Sequence, residues 1–242
     1  MAEPSRETLL KVLFIGNSFT ARNNLPNLIA QLAEARGLIL QHHLISAGGA
    51  SLRMHWNKGD AKKAILETGY DYVVLQEQST LPVKNPVRMH ENIRLFDDAI
   101  KGSGAKIALY LTWARKNAPA TQSAITEAYS AVGRELGATI VPAGIAWETF
   151  LRKHKQPELH DQDQSHPTLA GSYLAACVFF AVLFGQSPVG VENNLKGLTP
   201  ADIELLQKTA WGVCANWNQP KVGGLIGSLQ EKTAFWTPKH SV

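Results

Sequence analysis

Two short stretches, far apart in a chain of 242 residues, carry side chains that can do covalent chemistry together. Near the start, Lys11-Val12-Leu13-Phe14-Ile15 runs directly into Gly16-Asn17-Ser18-Phe19-Thr20. Towards the other end, Asp161-Gln162-Asp163-Gln164-Ser165-His166-Pro167 precedes the most apolar segment. A serine hydroxyl is a poor nucleophile until an imidazole takes its proton, and the imidazole needs a carboxylate on its far nitrogen to fix its tautomer and stabilise its cation. Ser18, His166 and Asp163 are those three groups, and the three-residue spacing from Asp163 to His166 is one that a single turn closes. Pro167 disfavours a helical conformation at His166, so the ring can project from the head of the following helix. Each stretch alone has a plainer reading, a turn serine and a polar capping loop, because small polar residues are common in turns. Together they favour nucleophilic catalysis.

A fold must bring these ends together. Five β-rich runs alternate with helix-length segments, the pattern of a parallel sheet covered on both faces. The strands are expected at Lys11 to Ile15, Ile39 to Ile45, Tyr72 to Leu75, Lys106 to Leu111 and Thr139 to Val141. Helices are expected at Pro26 to Arg36, Asp60 to Glu67, Pro86 to Lys101, Thr121 to Leu136, Pro167 to Phe184 and Pro200 to Asn216. Proline at the head of such a segment suits a first helical turn. The fold class is therefore α/β: a three-layer α/β/α sandwich with a five-stranded parallel sheet, flavodoxin-like. One domain over 1–242 is expected, with its core at about 9–217 and a tail, 218–242, wrapping the domain. In open parallel sheets reactive groups collect where strand C-termini meet the following loops. Ser18 lies there, past an expected interior strand, and Gly16 is expected to let the chain turn tightly.

The order of these blocks resembles the SGNH (GDSL-type) hydrolases: a strand followed by GNS, then a glycine-bearing loop, then a polar loop after the third strand, and a terminal Asp-x-x-His. VLFIGNSFT and HPTLAGSYLAACVFF are similar to a bacterial branch of that superfamily with few characterised members, and the resemblance spans about Val12 to Gly185. It implies an acyl-enzyme on Ser18, with Asp163 and His166 completing a triad. It also implies an oxyanion held by the Ser18 N–H, by a backbone N–H of Gly49 (or of Gly48) in Ser46-Ala47-Gly48-Gly49-Ala50-Ser51, and by a side-chain amide of the third block. Two departures stand out. Asn17 replaces the usual aspartate of Gly-Asp-Ser, and Leu75-Gln76-Glu77-Gln78-Ser79 stands where the family has Gly-x-Asn. Gln78 is the expected oxyanion donor because it lies further past the strand end; Gln76, nearer the sheet, is the alternative. A purely structural reading of the two glycines and the two glutamines stays open.

Bulk properties remove other classes. Apolar residues make up 45% and charged residues 18%, so the chain is not of disordered composition. Its 24 basic and 20 acidic side chains are scattered, with no basic run to track a phosphate backbone, so nucleic acid is not an expected partner. Cys177 and Cys214, the only two cysteines, read as buried thiols. The N-terminus has no leader pattern and Ala175 to Phe184 is too short to span a bilayer, so a cytoplasmic location without membrane contact is expected unless a leader has been removed. No glycine-rich nucleotide motif and no G-x-S-x-G elbow occurs, and no cofactor is expected.

Two competitors remain. His160, Asp161, Asp163 and His166 read as metal ligands would make a metal-assisted hydrolase, although the spacing fits no familiar zinc motif. A carbohydrate binder without catalysis would present Trp56, Trp113 and Trp147 to a sugar, with packing in the core rim as the plain alternative. The favoured expectation is hydrolysis of short-chain, chiefly acetyl, esters of a small molecule or carbohydrate, with Trp56, Trp113 and Asn17 contacting substrate. A lipase or thioesterase is the runner-up among enzymes.

Overall fold

Parallel pairing of five strands, in the order second, first, third, fourth and fifth, places the first strand inside the sheet and its carboxyl end at the point where the strand order reverses. The computed structural model describes residues 9–67 and 69–217. The strands are β1 (Leu9–Gly16), β2 (Ile39–Ser46), β3 (Tyr72–Leu75), β4 (Lys106–Tyr110) and β5 (Thr139–Val141). The helices are α1 (Ser18–Ala21), α2 (Leu25–Glu34), α3 (Leu52–Lys58), α4 (Asp60–Glu67), α5 (Leu81–Lys84), α6 (Pro86–Gly102), α7 (Gln122–Leu136), α8 (Ala143–Lys153), α9 (Leu169–Phe184) and α10 (Pro200–Asn216). Two 3-10 turns, Arg22–Asn24 and Pro119–Thr121, precede α2 and α7.

Alternation along the strands builds two cores. Val12 and Phe14 of β1, Val74 of β3 and Tyr110 of β4 face one layer, which α2, α8, α9 and α10 complete. Leu13 and Ile15, Val73 and Leu75, and Ile107 and Leu109 face the other, which α3, α4, α6 and α7 complete. Strands buried on both faces read as continuous apolar runs rather than alternating ones, which is why β1, β3 and β4 stand out in the sequence. The edge strand β2 is mostly exposed, and His42 and His43 lie on it, with His43 Nδ1 3.0 Å from the Tyr70 hydroxyl. Helix α9 is apolar all round and buried along nearly its whole length, packed among α2, α8 and α10, as a helix without a polar face must be. It is the element that carries the Asp163–His166 loop to the sheet.

Several expectations change. The segment expected to be helical from Pro167 begins at Leu169, because Pro167 forms a bridge with His160 and the Thr168 hydroxyl caps the Gly171 N–H at 3.2 Å. Four helices occupy stretches expected to be loops: α1, α3, α5 and α8. Gly16 is not a turn glycine with positive φ; a Cβ there would lie 2.6 Å from both Gln76 Oε1 and Thr20 Oγ1, so close approach rather than turning demands glycine. The expected wrapping tail, 218–242, lies outside the described residues. Among the described residues, no helix is long and apolar enough to cross a membrane.

Candidate active site

The chain leaves β1 at Gly16 and enters α1 with Asn17 as its cap, Oδ1 accepting the Phe19 N–H at 3.1 Å. Ser18 is thus the first residue of a helix. Its N–H has no intrahelical acceptor, and its side chain stands at the carboxyl edge of the sheet. The Ser18 Oγ lies 2.8 Å from His166 Nε2. On its other side, His166 Nδ1 is in short contact with Asp163 Oδ2. Asp163 Oδ1 accepts the backbone N–H groups of His166 at 2.9 Å and Ser165 at 3.0 Å. That turn is closed by Asp161 N–H to the His166 carbonyl, 2.8 Å, and by Gln164 N–H to the Asp161 carbonyl, 2.9 Å. One loop therefore presents both the imidazole and its carboxylate, as the three-residue spacing requires.

The electrostatics match this geometry. The bond from the His166 ring, then the His166 and Ser165 N–H groups, hold the Asp163 carboxyl well below the usual carboxylate range. Asp163 is ionised at any pH near neutrality and prefers a donor on Nδ1, which leaves Nε2 as the acceptor facing Ser18. With that tautomer, the arrangement can remove a proton from Ser18 Oγ and hold the resulting cation.

The neighbouring loops are tied to the same point. Asn17 N–H donates to Gln76 Oε1 at 2.9 Å, and the Asn17 amide donates to the Ala50 carbonyl at 3.1 Å. The loop after β2 and the start of the loop after β3 are thereby fastened to the residue before Ser18. Gly49, one residue before Ala50, adopts a left-handed φ of 67°, whereas Gly48 does not. Gln76 is buried and engaged at both ends of its amide: Oε1 also accepts the Thr20 hydroxyl at 3.0 Å, and its amide nitrogen donates to the Glu77 carbonyl. Gln78 is half-buried. Its Oε1 accepts the Thr80 N–H and hydroxyl, each at 2.9 Å, while its amide nitrogen has no partner among the described residues. Of the two glutamines, Gln76 is fully buried with its amide tethered at both ends, whereas the Gln78 amide nitrogen is untethered among the described residues.

Two expected substrate contacts, Asn17 and Trp113, are corrected. Asn17 is 2% exposed and both ends of its amide are committed to backbone groups, so it braces the turn and cannot also bind substrate. Trp113 is 3% exposed; one face stacks on Phe19 at 5.0 Å between centroids and the other on Trp147 at 3.8 Å, while its indole N–H donates to the Ser165 carbonyl. It supports the His166 loop from behind. Trp56 is only partly buried, packing edge-on against Phe96 at 5.1 Å at the margin of the second core, under the Lys62 ammonium at 5.2 Å. Trp147 is fully buried. Trp113 and Trp147, two of the three rings a sugar-stacking binder would need, are thus spent on packing, while Trp56 stays partly exposed.

The metal reading finds its ligands turned elsewhere. His160 is buried, its Nε2 2.9 Å from the Ala114 carbonyl, and burial lowers its pKa. Asp161 pairs with Arg22 and Asp163 with His166. Among the described residues, no three His, Cys, Asp or Glu side chains are grouped to hold a metal. Two clefts lie nearby: one of about 440 Å³ with Trp113, Arg115, Trp147, Leu151 and His160 in its wall, and one of about 430 Å³ against Lys116, Glu158, Asp161 and Gln164. Neither is lined by Ser18 or His166.

Glu77 received no role from the sequence, yet it is fully buried. Its Oε1 accepts the N–H groups of Leu52 at 3.1 Å and Gln78 at 2.6 Å, and its Oε2 accepts the Asn92 amide at 2.7 Å. Burial pushes its carboxyl up, against the opposing pull of those donors and of Arg53. His55 was overlooked as well: on α3, it is buried with Nε2 2.7 Å from the Gly16 carbonyl.

No protein-family model and no curated protein matches the chain. Solved structures do, and they define a class: this chain has the fold of the SGNH hydrolases. It is similar to a provisionally assigned SGNH hydrolase from Slackia heliotrinireducens, at 25% identity and a TM-score of 0.64 over 72% of this chain and 99% of that one. A DUF4886 family protein from Bacteroides uniformis superposes with a TM-score of 0.73 at 20% identity, covering 86% and 95% of the two chains. An acetylxylan esterase from Geobacillus stearothermophilus gives a TM-score of 0.59 at 18% identity over 76% and 97%. What these neighbours share with the chain is the fold.

Proposed function

We propose that the chain is a serine esterase that cleaves short-chain, chiefly acetyl, carboxylic esters, including esters on carbohydrates, through an acyl-enzyme on Ser18. The observation that carries this reading is the continuous chain from Ser18 Oγ to His166 Nε2, 2.8 Å, and from His166 Nδ1 to Asp163. Ser18 Oγ attacks the ester carbonyl as its proton passes to Nε2, and Asp163 stabilises the imidazolium. The oxyanion is received by the Ser18 and Gly49 N–H groups and the Gln78 amide. His166 returns the proton to the leaving alkoxide as its C–O bond breaks, then takes a proton from the water that attacks the acyl-enzyme. The acid departs and Ser18 regains its proton. A fluorophosphonate probe tests this directly. Labelling of the wild-type chain that disappears in Ser18→Ala and is indifferent to chelator is the expected result; absence of labelling overturns the reading.

The acyl preference extends the same reading to the size of the acyl group. The two clefts nearby open beside the His166 loop and behind Trp113 rather than at Ser18, so neither offers a long acyl chain a channel leading from the nucleophile. Turnover of nitrophenyl esters is therefore expected to be highest for acetyl and to fall with chain length, and acetylated xylo-oligosaccharides are expected to be substrates. A clear preference for long acyl chains overturns this specificity while leaving the nucleophile untouched.

Gln78→Ala removes the amide assigned to the oxyanion. Loss of one such donor costs about 3 kcal/mol of transition-state stabilisation, on the order of a hundredfold in kcat, with KM little changed. Gln76→Ala acts differently, because Gln76 holds Asn17 and Thr20 in place; it is expected to lower thermal stability along with activity. Steady-state kinetics and melting curves of the two variants separate the roles. A Gln78→Ala variant with wild-type kcat would leave the oxyanion to backbone groups alone.

A further inference from the structure

We propose that Glu77 is a positioning residue for this reaction, its buried carboxylate fixing the loop that carries Gly49 against the loop that carries Gln78. The proposal rests on the esterase reading above. The carboxylate sits where three segments converge. Leu52 is the first residue of α3, three residues after Gly49, and gives its N–H to Oε1. Gln78 gives its own N–H to the same oxygen. Asn92, buried on α6, gives its amide to Oε2. The Glu77 N–H in turn reaches the buried Tyr129 hydroxyl at 3.3 Å. The two groups assigned to the oxyanion from different loops are therefore registered to each other through one side chain, which touches neither substrate nor nucleophile.

The hydrogen bonds also have a direction that only a carboxylate at position 77 satisfies. Arg53 Nε donates to Asn92 Oδ1 at 2.9 Å, which fixes the Asn92 amide with its nitrogen towards Glu77. A carboxylate accepts on both oxygens, whereas an amide accepts on one end and donates on the other. In Glu77→Gln the introduced oxygen is needed by Leu52 and Gln78, so the introduced NH2 faces the Asn92 NH2, donor against donor. Flipping Asn92 turns its NH2 onto Arg53, again donor against donor. The misfit can be relieved only by moving one of the loops. Asn92→Asp fails for the opposite reason: two carboxylates then share one buried contact, where like charges resist ionisation. The double variant Glu77→Gln/Asn92→Asp transposes the charge and matches every donor with an acceptor. The amide introduced at 77 donates to the carboxylate introduced at 92, whose other oxygen accepts from Arg53.

The test is this double-mutant cycle, read as kcat and KM on nitrophenyl acetate with melting curves alongside. A misplacement of about 1 Å in a catalytic array costs on the order of 10²-fold, so each single variant is expected to lower kcat by about tenfold to a hundredfold with KM within about twofold. The double variant is expected to return to within about threefold of wild type, more active than either single variant, as paired effects that cancel require. A merely structural carboxylate would lower the melting temperature without this recovery of kcat. Wild-type kcat in Glu77→Gln overturns the proposal, and so does a double variant no better than the poorer single one. If Glu77→Gln does not fold, the double variant decides alone: folded and active supports the proposal, anything else overturns it. Wild-type labelling and turnover separate the two levels. An active wild type with an indifferent Glu77→Gln variant removes only the role of Glu77, whereas an inert wild type removes the esterase reading and this proposal with it.

Discussion

Ser18→Ala and His166→Ala are each expected to lower the kcat of ester hydrolysis by about 10⁴- to 10⁶-fold, and the double variant to lose little more. The loss is not a sum because the hydroxyl and the imidazole perform one step: without the base the nucleophile stays protonated, and without the nucleophile the base has nothing to activate. What survives either deletion is stabilisation of the oxyanion by groups that do not depend on them. Neither substitution threatens the fold. Ser18 is half-buried and its hydroxyl contacts His166, while the His166 ring rests against Phe19 at 5.4 Å between centroids on a loop closed by backbone hydrogen bonds. Circular dichroism and melting curves close to wild type are therefore expected beside the kinetic collapse. Turnover that survives Ser18→Ala and disappears with chelator would instead restore the metal reading of the Asp161 to His166 loop.

How much of this was legible in the sequence depends on which signal each part leaves. The sheet was legible because strands covered on both faces leave apolar runs such as KVLFI and YVVL. Helices α1 and α5, of four residues each, are too short for any periodicity to register, and both sit at the loops that matter. Helix α8 does leave a periodic signal: Ala143, Ala146, Trp147 and Phe150 recur at helical spacing and are all buried. That spacing places Trp147 on the buried face of a helix, and Trp113 is buried with it because the ring it stacks on is Trp147. The Ser18, Asp163 and His166 set, which the structure brings into contact, was legible as a candidate from residue types and block order. Asn17 and Gln76 were harder, because an amide that braces a turn and one that binds substrate have the same letter. Glu77 lay in plain view between two glutamines. A lone charge at a strand end marks burial only once the three segments that surround it are known.

Asp163→Asn is expected to lower kcat by about 10⁴-fold while leaving Ser18 and His166 in contact. The reason lies in the two backbone N–H groups, of Ser165 and His166, that bond Asp163 Oδ1. An asparagine keeps those bonds by placing its oxygen there, which turns its NH2 towards His166 Nδ1. That nitrogen must then accept, the ring proton moves to Nε2, and the imidazole donates to Ser18 instead of receiving its proton. The variant is thus blocked by the wrong tautomer rather than by displacement, and the Ser18→Ala/Asp163→Asn pair should add almost nothing to Ser18→Ala alone. Stability should follow the charge as well. Because the folded state depresses the Asp163 pKa, the carboxylate contributes stability above the ordinary carboxylate range, and that contribution is lost as pH falls from there through the depressed folded value. Asp163→Asn should therefore melt below wild type near neutral pH, with the gap closing as the pH drops below about 4, the reference carboxylate pKa. The side chain is 45% exposed, so solvent screens its interactions and keeps the gap small. Melting curves across that pH range and kcat at neutral pH check the two halves separately. A variant with near-normal kcat would mean that Asp163 does not set the tautomer of His166, and a gap that widens towards low pH would contradict the origin assigned to its depressed pKa.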